Sequence, residues 1–73
     1  MNKELLETIL NATKQGFLIS FLNESKGVRI FISKKINGSV KGESNVINYE
    51  EIEKNEVDIV RSFIETAKNR INN

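Results

Sequence analysis

The sequence predicts an α+β fold, a two-layer α-β-β-β-α domain whose three-stranded antiparallel meander carries two helices packed on one face. Three observations lead there. Apolar residues recur at helical spacing near both ends of the chain, they alternate with a period of two between Phe17 and Lys35, and Asn37-Gly38 supplies a tight hairpin turn. No linker, repeat or low-complexity segment divides the 73 residues, so the elements form a single domain over 1–73. So short a chain builds a small core, and burial gained through association weighs heavily in its stability.

The first helix is expected over 3–14, where Leu5, Leu6, Ile9, Leu10, Ala12 and Thr13 recur at helical spacing and Gly16 stands where a left-handed cap ends a helix. The period then changes to two. Phe17, Ile19 and Phe21 alternate with Leu18, Ser20 and Leu22, and a second run extends from Val28 to Lys35. An even loop, Asn23-Glu-Ser-Lys26, pairs Phe21 with Val28, Ile19 with Ile30 and Phe17 with Ile32, which sets all of them on one face. An odd loop scatters them, because a one-residue slip turns every side chain over. The even register makes Leu18 and Phe31 a cross-strand pair on the opposite face, with Leu22 nearby and Arg29 beside Ser20.

At Asn37-Gly38 two geometries stay open. A two-residue turn carries Val40 and Val46 to the face of Phe31, and a three-residue loop with a bulge turns them to the core. The third strand is expected over 39–44, followed by an irregular 45–48. The last helix has the plainest pattern: Val57, Val60, Ile64, Ala67 and Ile71 lie on one stripe, widened by Ile59 and Phe63. Starting it at Glu50 drops Glu53 and Glu56 into the apolar arc, a costly burial of charge. A cap at Asn55 avoids this and leaves Glu56 and Asp58 in the first turn, where the helix dipole favours acids. Asn48 with Glu51 is a second candidate cap, opening a short turn before the main helix.

Composition narrows the chemistry. With no Cys and no His the chain lacks the usual thiol nucleophile, general base and soft metal ligands, so it reads as a non-enzymatic protein with no metal and no cofactor. A cysteine-free chain without an export signal or an apolar run of membrane-spanning length is expected in the cytoplasm. Gly38-Ser-Val-Lys-Gly42-Glu-Ser44 fails as a phosphate loop: the glycines are too close and Glu43 stands where the lysine belongs.

Eleven basic and ten acidic side chains nearly cancel, but they are segregated. Lys26, Arg29, Lys34, Lys35 and Lys41 fall in the middle, and Glu50, Glu51, Glu53, Glu56 and Asp58 follow with Lys54 alone among them. The face carrying Leu18, Leu22 and Phe31, rimmed by Arg29, Ser33 and Lys35, has the apolar centre and polar rim of an interface. It suits self-association as a homodimer, or a larger protein partner. Glu50, Glu51 and Glu53 offer a second, acidic contact, since surface charge steers partners. The alternative is nucleotide or nucleic-acid binding through Arg29, Lys34, Lys35 and Lys41 beside Phe31, combining phosphate neutralisation with stacking.

A helix, a three-stranded meander and a helix, in a small Lys-, Asn- and Ile-rich chain without cysteine, resembles accessory proteins of phages and prophages of AT-rich bacteria. In element order it is similar to small type II-A anti-CRISPR proteins. The resemblance implies an inhibitor that acts by binding a larger host defence protein. The acidity of that class is matched here from Glu50 to Asp58, and the basic hairpin departs from it. In size the chain also resembles phage-encoded sponges for cyclic nucleotide signals.

Overall fold

The computed structural model describes residues 3–73, apart from the side chains of 55–57. Helix α1 (Lys3–Lys14) is followed by strands β1 (Phe17–Asn23), β2 (Gly27–Ile36) and β3 (Ser39–Asn48), and by helix α2 (Tyr49–Asn72). The strands form one antiparallel sheet in the order β1-β2-β3. Both helices lie on the same face, α1 over β1 and α2 over β2 and β3, in contact with each other. The α+β layer architecture read from periodicity is the architecture of the protein.

The core is where the three apolar patterns meet. Leu5 and Ala12 of α1, Phe17, Ile30, Ile32 and Ile47 of the sheet, and Val60, Ile64, Ala67 and Ile71 of α2 are buried together. The α2 residues are those of the expected stripe. Gly16, at φ +93°, ends α1 in the left-handed conformation and turns the chain into β1.

The β1–β2 register differs from the expected one by two residues. Phe21 faces Ile30, Ile19 faces Ile32 and Phe17 faces Lys34, so Leu18 pairs with Ser33, Ser20 with Phe31 and Leu22 with Arg29. Because a slip of two preserves facing, the inner and outer sets are as assigned and only the partners change. Leu18 and Leu22 therefore flank Phe31 diagonally rather than oppose it. The loop responsible is Glu24–Gly27, closed by the Glu24 N–H donating to the Gly27 carbonyl at 2.8 Å. Gly27 fits because it has no side chain: a Cβ there lies 2.1 Å from the Ile47 carbonyl oxygen and 2.7 Å from Asn48 Cα. The shift also moves Phe21 and Val28 toward the end of the sheet. Phe21 is 43% exposed rather than a core residue. With Val28 and Ile52 it lines an apolar depression of about 170 Å³.

At the second hairpin the structure selects the two-residue turn. Ile36 pairs with Ser39, and Asn37 and Gly38 take φ of 52° and 82°, as a type I′ turn requires. Val40 and Val46 consequently join the outer face. β3 continues to Asn48, paired with Gly27, instead of stopping at Ser44.

α2 starts at Tyr49, not after Asn55. Asn48 closes a capping box: its Oδ1 accepts from the Glu51 N–H at 2.8 Å and its Nδ2 donates to Glu51 Oε1 at 3.0 Å. The helix passes unbroken through Asn55, Glu56 and Val57, whose side chains lie outside the description, as does the Asn55 cap with them. The expected burial of Glu53 does not arise. Ile52 takes the inward position at this end, packed against the core with Ile59 and Phe63, and Glu53 is exposed. The Arg70 guanidinium anchors the other end on Glu43 of β3, with Nε at 2.7 and 2.9 Å from the two carboxylate oxygens. Those hydrogen bonds hold the Glu43 carboxyl below its usual range; desolvation opposes them, and the charge of Arg70 adds a smaller effect of the same sign.

Candidate interaction surface

Since both helices occupy the inner face, the outer face of the sheet is open to solvent. Four rows cross it. Leu22, Arg29 and Val46 form the first, Ser20, Phe31 and Ser44 the second, Leu18, Ser33 and Gly42 the third, and Lys35 with Val40 the last. Leu18 and Val40 are 74% and 73% exposed, Leu22 52% and Phe31 39%. Phe31 sits at the centre of this grid, its exposure reduced by its strand neighbours. The apolar patch inferred from alternation is present, and the two-residue turn extends it to Val40 and Val46.

Arg29 shapes the patch. Its Nε donates to Glu24 Oε2 at 2.8 Å and its Nη1 to Ser44 Oγ at 3.1 Å, so the guanidinium is tied at both ends across the first two rows. A fixed planar guanidinium beside an aromatic ring loses little conformational freedom on binding. Lys35, on the same face, is exposed. Sequence reasoning missed the Glu24 contact, because that residue falls in the loop whose closure it could not place.

The four basic residues of the second hairpin do not share one face. Arg29 and Lys35 lie on the outer side, whereas Lys34 and Lys41 pair with each other on the helix side. Lys34 is further occupied, its Nζ resting 4.9 Å from the centroid of the Phe17 ring. Glu50, Glu51 and Glu53 are exposed in the first turns of α2, beyond the Gly27–Asn48 end of the sheet. This corner is held by the Tyr49 hydroxyl donating to the Glu24 carbonyl at 2.8 Å. The acids therefore border the patch at one end and do not belong to it.

Lys68 is 8% exposed, and its Nζ reaches Glu65 at 3.4 Å, so its charge is paired at the helix surface. Among the described residues no group of three or more acidic side chains converges as a metal ion would need, and no helix is long and apolar enough to cross a membrane. The larger concavity, about 550 Å³ between β3 and α2, is an open groove of mixed polarity lined by Asn45, Glu51, Asp58, Phe63 and Arg70 among others. No protein-family model, curated protein or solved structure matches the chain.

Proposed function

We propose that this is a small, non-enzymatic, cytoplasmic protein-interaction module whose outer sheet face binds a protein partner. One observation carries the reading: a whole sheet face is left uncovered with Leu18, Leu22, Phe31 and Val40 exposed on it. Large apolar side chains gathered on one open face point to an interaction site more than singly scattered ones do. The layout suits interface anatomy, with Phe31 as the central anchor and Arg29, Lys35, Ser20 and Ser44 as the polar surround. The exposed Lys35 at the rim of an apolar face favours a partner presenting carboxylates around an apolar centre. The resemblance in element order to phage-encoded inhibitors supports a host defence protein in that role.

The test compares two columns, one carrying the wild-type chain and one carrying Phe31→Asp, loaded with the same bacterial lysate and read by mass spectrometry. Removing a central aromatic anchor costs about 2 kcal/mol or more, so the specific partner should bind the variant at least roughly 30-fold more weakly. Phe31 is partly exposed, and circular dichroism should show the variant folded. Identical sets of retained proteins on the two columns would sink the proposal.

A further inference from the structure

Acids and lysines occupy opposite ends of the sheet. Glu24, Glu50, Glu51 and Glu53 stand at the Gly27–Asn48 end, whereas at the Asn37-Gly38 end Lys34 of β2 lies directly opposite Lys41 of β3 on the helix side. Lys14, the last residue of α1, belongs to the lysine end: Gly16 follows it by two positions, and a Cβ on Gly16 lies 3.6 Å from Lys34 Cε. The segments that meet here, 8–23, 25–42 and 66–73, contain no acidic residue. Glu43, the single acid of β3, is already engaged by Arg70.

The charge at this end is therefore uncompensated. Among the described residues Lys14 and Lys41 have no anionic partner, and Lys34 has only the Phe17 ring, which holds its ammonium in place without neutralising it. From Lys34 back to Gly27 the strand runs about 23 Å. That is well beyond the screening length of about 8 Å at physiological salt, so the distant acids do not cancel the field of the lysines. Like charges directly opposed across two strands also lower stability. An anion seated between Lys34 and Lys41 relieves that repulsion.

We propose that this end of the molecule binds the phosphate backbone of double-stranded DNA without reading its sequence. The side chains around the lysines select the partner. Gln15, Asn37, Ser39 and Asn72 are exposed there, and amides and hydroxyls of this kind accompany lysine on phosphates and sugars. They replace the apolar centre and polar rim that mark the outer face for a protein. Phe17, the aromatic ring beside Lys34, is 1% exposed, so bases have nothing to stack on and a duplex is favoured over a single strand. Lys35 adds positive charge from the other side of the hairpin.

This site does not involve the outer-face patch, and its test is fluorescence anisotropy with a short labelled DNA duplex of mixed sequence. With three lysines on phosphates, affinity should fall about 40-fold as salt rises from about 50 to about 200 mM. Lys41→Glu turns the repulsive pair into an attractive one, so it should melt no lower than wild type while weakening duplex binding at least about 10-fold at low salt. Lys54→Glu makes the same change in net charge at the acidic end and should bind within about twofold of wild type. The proposal is overturned by absence of duplex binding at low salt, by equal losses in Lys41→Glu and Lys54→Glu, or by poly-glutamate displacing the duplex as readily as unlabelled DNA does at matched charge.

Discussion

Gly27→Ala should be among the most damaging small substitutions in the chain. The added carbon falls 2.1 Å from the Ile47 carbonyl oxygen and 2.8 Å from its carbonyl carbon, both main-chain atoms that no rotamer change can clear. Relief requires the start of β2 to draw away from the end of β3. That movement strains the Glu24–Gly27 closure, the bond from the Tyr49 N–H to the Lys26 carbonyl, and the seat of the Asn48 cap. Each backbone hydrogen bond is worth about 1 kcal/mol and a cap about 1 kcal/mol, so the loss is roughly 3 kcal/mol. The smaller entropy of the unfolded alanine chain returns about 0.4–1 kcal/mol of this. A net loss of about 2–3 kcal/mol lowers Tm by roughly 10–20 °C in a domain of this size. Thermal melts followed by circular dichroism measure it, with Gly42→Ala as the comparison, since a Cβ there meets its nearest neighbour at 3.0 Å. If Gly27→Ala melts within about 5 °C of wild type, β2 and β3 have room for a side chain at this close approach and the reasoning fails.

Two other substitutions test the ends of α2. Asn48→Ala removes both bonds of the capping box and should cost about 1 kcal/mol, seen as a Tm lowered by roughly 4–8 °C. Because Arg70 depresses the Glu43 pKa, the stabilisation from that pair is present above the ordinary carboxylate range and lost as pH falls through the lower folded value. Arg70→Gln should return the Glu43 carboxyl resonance to an ordinary midpoint in an NMR titration and flatten the acid limb of stability; an unchanged midpoint contradicts the assignment.

Periodicity carried the sequence reading a long way, and its shortfalls have definite physical origins. Facing is what alternation encodes, so Leu18, Leu22 and Phe31 were legible as an outer patch. Register modulo two is all it encodes, and the choice between Phe21 opposite Val28 and Phe21 opposite Ile30 goes with the main-chain closure of the Glu24–Gly27 loop, which leaves no apolar signature. Likewise Asn37-Gly38 announced a turn, but only its dihedral angles placed Val40 and Val46. Glu53 is buried only if the stripe of the later turns continues unchanged to the start of α2. In the folded chain Ile52 faces inward there instead, so the helix starts at Tyr49, capped by Asn48, without burying that acid. The split of Lys34 and Lys41 from Arg29 and Lys35 follows from strand alternation too, but it becomes visible only once the runs are read as paired strands.

The hydrogen bond from Tyr49 to Glu24 has a practical consequence. With no Trp in the chain, Tyr49 is the strongest intrinsic fluorophore, and it reports from the corner where the first loop meets the last helix, not from the core. Emission therefore follows the latching of that corner, while circular dichroism follows the helices. Coincident melts by the two signals indicate that latch and core open as one cooperative unit, and an earlier fluorescence transition identifies the corner as the place where the chain begins to unravel.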